Sequence, residues 1–120
     1  MENIITTYNR IKTTQFREHS DLLKLRLTLL EVMSHFSKEY QKVSNPVMRH
    51  HIYVTFYRLE SVYKKTVTTL WHTPLHFKKT KRDTLQHISN FLNKAEHLDT
   101  KMEYRMQPQS AATGMQVALA

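Results

Sequence analysis

Glycine is almost missing from this chain. Of its 120 residues only Gly114 is a glycine, and it lies among the last seven, against an ordinary usage of about 7%. Glycine supplies the positive φ that tight hairpin turns demand. With three prolines and no glycine before residue 114, the chain has almost nowhere to reverse sharply. The expectation is a few long helices joined by short connections. The length suits one domain, or one domain with a tail, able to bury roughly two-thirds of its unfolded surface.

Residues 2–43 contain neither glycine nor proline, and apolar residues recur at helical spacing: Ile4, Tyr8, Ile11, then Leu22, Leu25, Leu29, Val32 and Phe36. Gln15 and Glu18 interrupt the seam. Two readings fit. One is a continuous helix of about 60 Å. The other, which we favour, is a break near His19-Ser20-Asp21 with Ser20 as N-cap. It leaves a short helix over about 2–17 and a longer one over about 20–43.

Asn45-Pro46 is a helix start, with Asn as N-cap and Pro at the first helical position. Beyond it Met48, Ile52, Phe56, Leu59, Tyr63, Val67 and Leu70 step by three or four. Tyr53, Val54 and Tyr57 widen this face until it covers most of the circumference, which suits a central or interface helix. A strand through 52–57 is the rival, on β-propensity alone, but no hairpin partner with turn residues lies nearby. Residues 72–80, with Pro74, read as the longest connection. The last helix is expected to start near Thr80 or Thr84, with Thr80 and Asp83 resembling a capping box. Its stripe is Leu85, Ile88, Leu92, Ala95, Leu98 and Met102, with Phe91 beside it. Pro108 ends the pattern.

The expected fold is therefore all-α: an up-and-down bundle of three long helices, each roughly 35–40 Å. The N-terminal segment is either a fourth helix or an extension of the first. Residues 1–106 form a single helical-bundle domain. Residues 107–120, uncharged and without period, are expected to be a disordered tail.

Charge carries the functional signal. The formal net charge is +8, which favours polyanions and opposes close association of like-charged surfaces. Between Glu60 and Asp83 there is no carboxylate, while Lys64, Lys65, Lys78, Lys79, Lys81 and Arg82 all fall there, with Trp71, His72, His76 and Phe77 interleaved. In an antiparallel helix pair these cations meet at one end, where they can contact phosphates, and the rings can stack on unpaired bases. The plain alternative is a solvated loop with solubility lysines and Trp71 ending the core stripe. No helix-turn-helix, RNP or KH pattern accompanies the run. Lys81 and Arg82 at a helix start would oppose the helix dipole, a conflict that a phosphate bound there would relieve. Arg49, Tyr53, Tyr57 and Lys64 lie close to one line of the central helix and can extend this surface, although such tyrosines are more often core-edge residues.

Other chemistries find less support. Without cysteine there is neither disulfide nor thiol nucleophile. Glu31 with His35, and Asp83 with His87, are i, i+4 pairs, but the Glu-x-x-His pattern of bundle metal sites is missing, so no metal and no cofactor are expected. No Gly-rich loop cradles a nucleotide, and the ten acids read as partners for neighbouring bases. We expect no enzyme. No apolar run approaches the ~20 residues of a membrane span, and MENIITTYNR is no secretory signal, so the expected compartment is cytoplasmic.

The function expected is non-catalytic binding of nucleic acid through backbone contacts, RNA or single strands slightly favoured, as an accessory or architectural subunit. A homo-oligomer or a larger complex is the expected assembly. The alternative is a helical adaptor or assembly subunit working through protein–protein contacts, because the apolar faces at 22–36 and 48–70 exceed what a three-helix core needs, with the basic end meeting an acidic protein.

Overall fold

The computed structural model describes residues 1–68 and 74–105, those from 99 to 105 by backbone alone. The described chain is all-helical, with α1 over Glu2–Thr13, α2 over Asp21–Lys42, α3 over Pro46–Thr68 and α4 over Pro74–Arg105. The main packing runs α1 on α2, α2 on α3, α3 on α4 and α4 back on α1. Residues 52–57 lie within α3, and the strand reading falls away.

The chain breaks where Gln15 and Glu18 interrupt the apolar seam, but α1 stops at Thr13, short of the expected residue 17. Ser20 forms no side-chain cap. Asp21, the first residue of α2, instead ties down the turn before the helix: its Oδ2 accepts from the backbone N–H groups of Arg17 (2.8 Å) and Glu18 (2.9 Å). Those bonds favour the ionised carboxylate and hold its pKa below the usual value. Asn45 caps α3 as expected, its Oδ1 accepting from the Met48 N–H at 3.0 Å.

The larger correction concerns α4. It begins at Pro74, not at Thr80 or Thr84, so residues 74–80 are helix and not connection. Proline at the first helical position needs no N–H bond there. The buried line of α4 is Phe77, Thr84, Ile88, Phe91 and Ala95. Its first step spans seven residues, and Thr84 is polar, which hid the first turns from an apolar-period reading. Thr84 tolerates burial because its Oγ1 donates to the Thr80 carbonyl at 2.8 Å.

The face of α3 is also rotated from the expected one. The buried residues are Met48, Ile52, Thr55, Leu59, Val62 and Thr66, a stepping of four and three. Phe56 and Tyr63 pack on its edge, and Val67 is exposed. Thr55 donates to the His51 carbonyl (2.8 Å) and Thr66 to that of Tyr63 (2.6 Å), so neither hydroxyl is left bare. Tyr53 and Tyr57 turn outward, 58% and 62% exposed.

Near the middle, Phe36 of α2 and Phe91 of α4 meet edge to face, centroids 4.8 Å apart. Arg26 near the start of α2 donates to the Thr66 carbonyl near the end of α3 at 2.6 Å, so these helices run antiparallel. Phe91→Ala is expected to lower stability by about 3–5 kcal/mol. Leu27→Ala, on the outer face of α2, should stay within about 0.5 kcal/mol. Urea unfolding of both variants measures the contrast.

Candidate nucleic-acid interface

The end of the molecule where α3 finishes and α4 begins gathers most of the expected contact residues. Because α4 starts at Pro74, Lys78, Lys79, Lys81 and Arg82 stand in its second and third turns. There the helix dipole, strongest within the first turn, no longer opposes them. Lys78, Lys79 and Arg82 are exposed, and none joins an ion pair among the described residues. His76 is exposed in the first turn.

Two expected contacts are taken up by the fold. Phe77 is 1% exposed, packed with Phe16, Leu22, Leu25, Leu29 and Val62, so its ring is not a surface on which a base can stack. The Lys81 ammonium donates to the carbonyls of Lys12 (3.0 Å) and Thr14 (2.8 Å). A lysine there satisfies carbonyls that the last turn of α1 leaves open. Lys64 also has a partner, Glu60 at 3.6 Å one turn back, but stays well exposed. Lys65 is exposed in the last turn of α3. Trp71 and His72 lie outside the described residues.

Sequence reading missed Arg17. It sits between α1 and α2, and with Gln15 and Phe16 it faces Pro74, Leu75, Phe77, Lys78 and Lys81 across a cleft of about 570 Å³. No local signal announced this, because some 60 residues of sequence separate the two walls. Arg49 is also placed differently from a surface contact: its guanidinium lies 4.2 Å from the Tyr40 ring centroid, half-buried.

A second basic feature runs up the side from this end, where α3 meets α4. His87 has its pKa lowered first by burial, then by the nearby charges of Arg58 and Lys65, with Asp83 opposing. His51 is shifted the same way, by burial and then by Lys94 and His50. Burial is the larger cause of both shifts, and the neighbouring positive charges add to it. Glu31 and His35 approach to 3.5 Å as their spacing suggested. Among the described residues no group of three or more His, Asp or Glu is close enough to hold a metal, and no helix is long and apolar enough to cross a membrane.

Set against known protein families, curated proteins and solved structures, the chain matches none.

Two outcomes test this geometry. Lys81→Ala is expected to cost about 1 kcal/mol, since two charge-assisted bonds are lost at a partly wet position. Lys78→Ala should change stability by less than about 0.5 kcal/mol. Thermal melts of the two separate them. The histidines set a pH dependence with a definite sign. A folded pKa below the unfolded value means the unfolded chain takes up protons first as pH falls. Stability from His51 and His87 is therefore complete above about pH 7 and lost progressively as pH drops through their depressed folded values. The urea midpoint of the wild type should fall between about pH 7 and pH 5, and His51→Gln with His87→Gln should flatten that fall.

Proposed function

We propose that this chain is a non-catalytic nucleic-acid-binding protein, an up-and-down bundle of three long helices to which α1 adds a short fourth. It acts as an accessory or architectural subunit, in an oligomer or a larger cytoplasmic complex. The observation that carries the reading is the set Lys78, Lys79 and Arg82: all exposed, in no ion pair among the described residues, with Lys78 lining a cleft that Arg17 also lines. A fold that leaves its cations without carboxylates on one end offers phosphates a place to displace their counterions. Lys65, Lys64 and His76 border the same end. Trp71 and His72, between α3 and α4 in sequence, keep the stacking role that their ring chemistry allows, whereas Phe77 and Lys81 drop out of the contact set. Backbone contacts of this kind carry little sequence preference, and the rings among the cations favour RNA or single strands.

A second reading has its own support. Leu23, Leu27 and Leu30 are exposed at i, i+4 and i+7 along the outer face of α2, and such a stripe suits a protein partner. In that reading the chain is a helical adaptor whose basic end meets an acidic protein.

Salt distinguishes the two. Binding of labelled single-stranded RNA should weaken linearly in log–log against salt, and Lys78→Ala/Lys79→Ala/Arg82→Ala should reduce the slope by about 2, at roughly 0.7 per single-strand phosphate. Absence of binding near physiological salt, or an unchanged slope in the variant, favours the adaptor.

A further inference from the structure

The outer side of α2 carries a second seam that the core of the bundle does not use. Leu23, Leu27, Leu30, Ser34, Ser37 and Gln41 step by four and three, and all six are exposed. A line with that 3.5-residue spacing keeps one direction along a helix and suits a neighbouring helix. The buried line of α2 points elsewhere, through Leu22, Leu25, Leu29, Val32, Met33 and Phe36. No residue of the outer seam is charged, in a chain of net charge +8. Alongside, α3 exposes Tyr53, Tyr57 and Val67. The two charges on that line of α3, Glu60 and Lys64, meet each other at 3.6 Å.

The seam is complementary to a reversed copy of itself. Its three leucines occupy one half, its serines and glutamine the other. Turned end for end about Val32, α2 sets Leu23 level with Gln41, Leu27 with Ser37 and Leu30 with Ser34 of the second copy. Large side chains then face smaller ones, which lets the two helices interdigitate. Every contact occurs twice, as a two-fold interface requires. At this register Leu23 and Leu27 of the second copy come level with an apolar cleft of about 170 Å³ beside Ser37, lined also by Phe36, Tyr40, Ile52, Tyr53 and Phe56. A dry cavity of about 150 Å³ takes a benzene ring, so the cleft has room for one leucine side chain.

Charge selects the reversed arrangement over the parallel one. Arg26 near the start of α2 meets Thr66 near the end of α3, so α2 starts at the basic end. A parallel pair would set two basic ends side by side, which like charge opposes. A reversed pair moves them apart by the length of α2, about 33 Å. Area is sufficient only if α3 takes part. A face about 33 Å long and two helices wide covers roughly 600 Å² in flat projection, and accessible surface exceeds its projection. A standard interface buries about 800 Å² per partner. The α2 face alone offers about half that projection, so the exposed side chains of α3 are needed as well.

We propose that the outer face of α2, widened by Tyr53 and Tyr57 of α3, binds a second copy of this chain in an antiparallel two-fold dimer. This gives the oligomer named above a face and a direction, whether or not the chain binds nucleic acid. Lys24 and Lys38 border the seam on α2, and in the reversed pair Lys24 approaches Lys38 of the second copy. Salt therefore tightens the dimer by screening like charges, the reverse of its effect on nucleic-acid binding.

Sedimentation equilibrium of the full chain, from about 1 to 300 μM, should show a reversible monomer–dimer equilibrium that strengthens with salt. Leu23→Ala/Leu27→Ala/Leu30→Ala should weaken it about tenfold or more, with helicity by circular dichroism unchanged. Leu75→Ala, at an exposed leucine in the first turn of α4, should dimerise like wild type. The chain has no cysteine, so Lys42→Cys offers a single thiol for a nitroxide label. The antiparallel dimer holds the two labels about 30 Å apart, at 1.5 Å per residue on either side of Val32. A parallel dimer holds them near one interhelical distance, about 10 Å. A chain that stays monomeric over the whole range overturns the dimer, and so does a dimer that the triple leucine variant leaves intact. A label distance near 10 Å overturns the reversed arrangement. A dimer that loosens with salt is held by charge and overturns the apolar seam.

Discussion

The rotational setting of α3 decides what surface this protein presents. Its inward line of Met48, Ile52, Thr55, Leu59, Val62 and Thr66 keeps the 3.5-residue spacing with which one helix packs along its neighbours. Two of those residues are threonines whose hydroxyls return to their own helix, so burying them leaves no donor unmet. Once that line faces inward, helix geometry directs Tyr53 and Tyr57 to solvent and carries Arg58 and Lys65 to the side facing α4. A rotation by one residue would bury Phe56, Tyr63 and Val67 instead and move every exposed group with them.

The cations divide according to what the packing puts near them. Lys81 and Arg26 are held at the carbonyl ends of α1 and α3, where a positive charge suits the dipole. Arg10 and Lys64 meet Glu31 and Glu60, and Arg49 covers Tyr40. Lys78, Lys79 and Arg82 on α4, Arg58 and Lys65 on α3 and Lys94 on α4 join no ion pair among the described residues. Other exposed cations, such as Lys24, Lys38 and Lys42 on α2, also join no ion pair among the described residues, so the net charge of +8 is spread beyond the basic end.

The short first helix makes the basic end a cleft. Twelve residues are too few for a stable isolated helix, so α1 persists through its contacts: Ile4, Thr7 and Ile11 buried, Arg10 on Glu31, and the Lys81 ammonium on its last carbonyls. The segment that follows drops Phe16 onto Phe77 and Leu25, and this packing holds Arg17 opposite Lys78.

By itself the sequence determined the helical class, the break between α1 and α2, the capped start at Asn45 and the inward line of α2. Each depends on local chemistry: scarce glycine, an interrupted apolar period, a capping side chain, and leucines every three or four residues. The acid-free cation run was equally legible. The start of α4 was not, because its first buried step spans seven residues and Thr84 in its line is polar. The face of α3 was not, because aromatic residues on the edge outweighed threonines in the core. Only the tertiary structure decided which cations are spent on the fold and which remain unpaired. The same holds for Arg17 at the cleft. An ion pair such as Arg10 with Glu31, or a capped carbonyl such as that of Thr14 by Lys81, joins residues far apart in the chain, and periodicity along one helix carries no information about what the next helix brings opposite it.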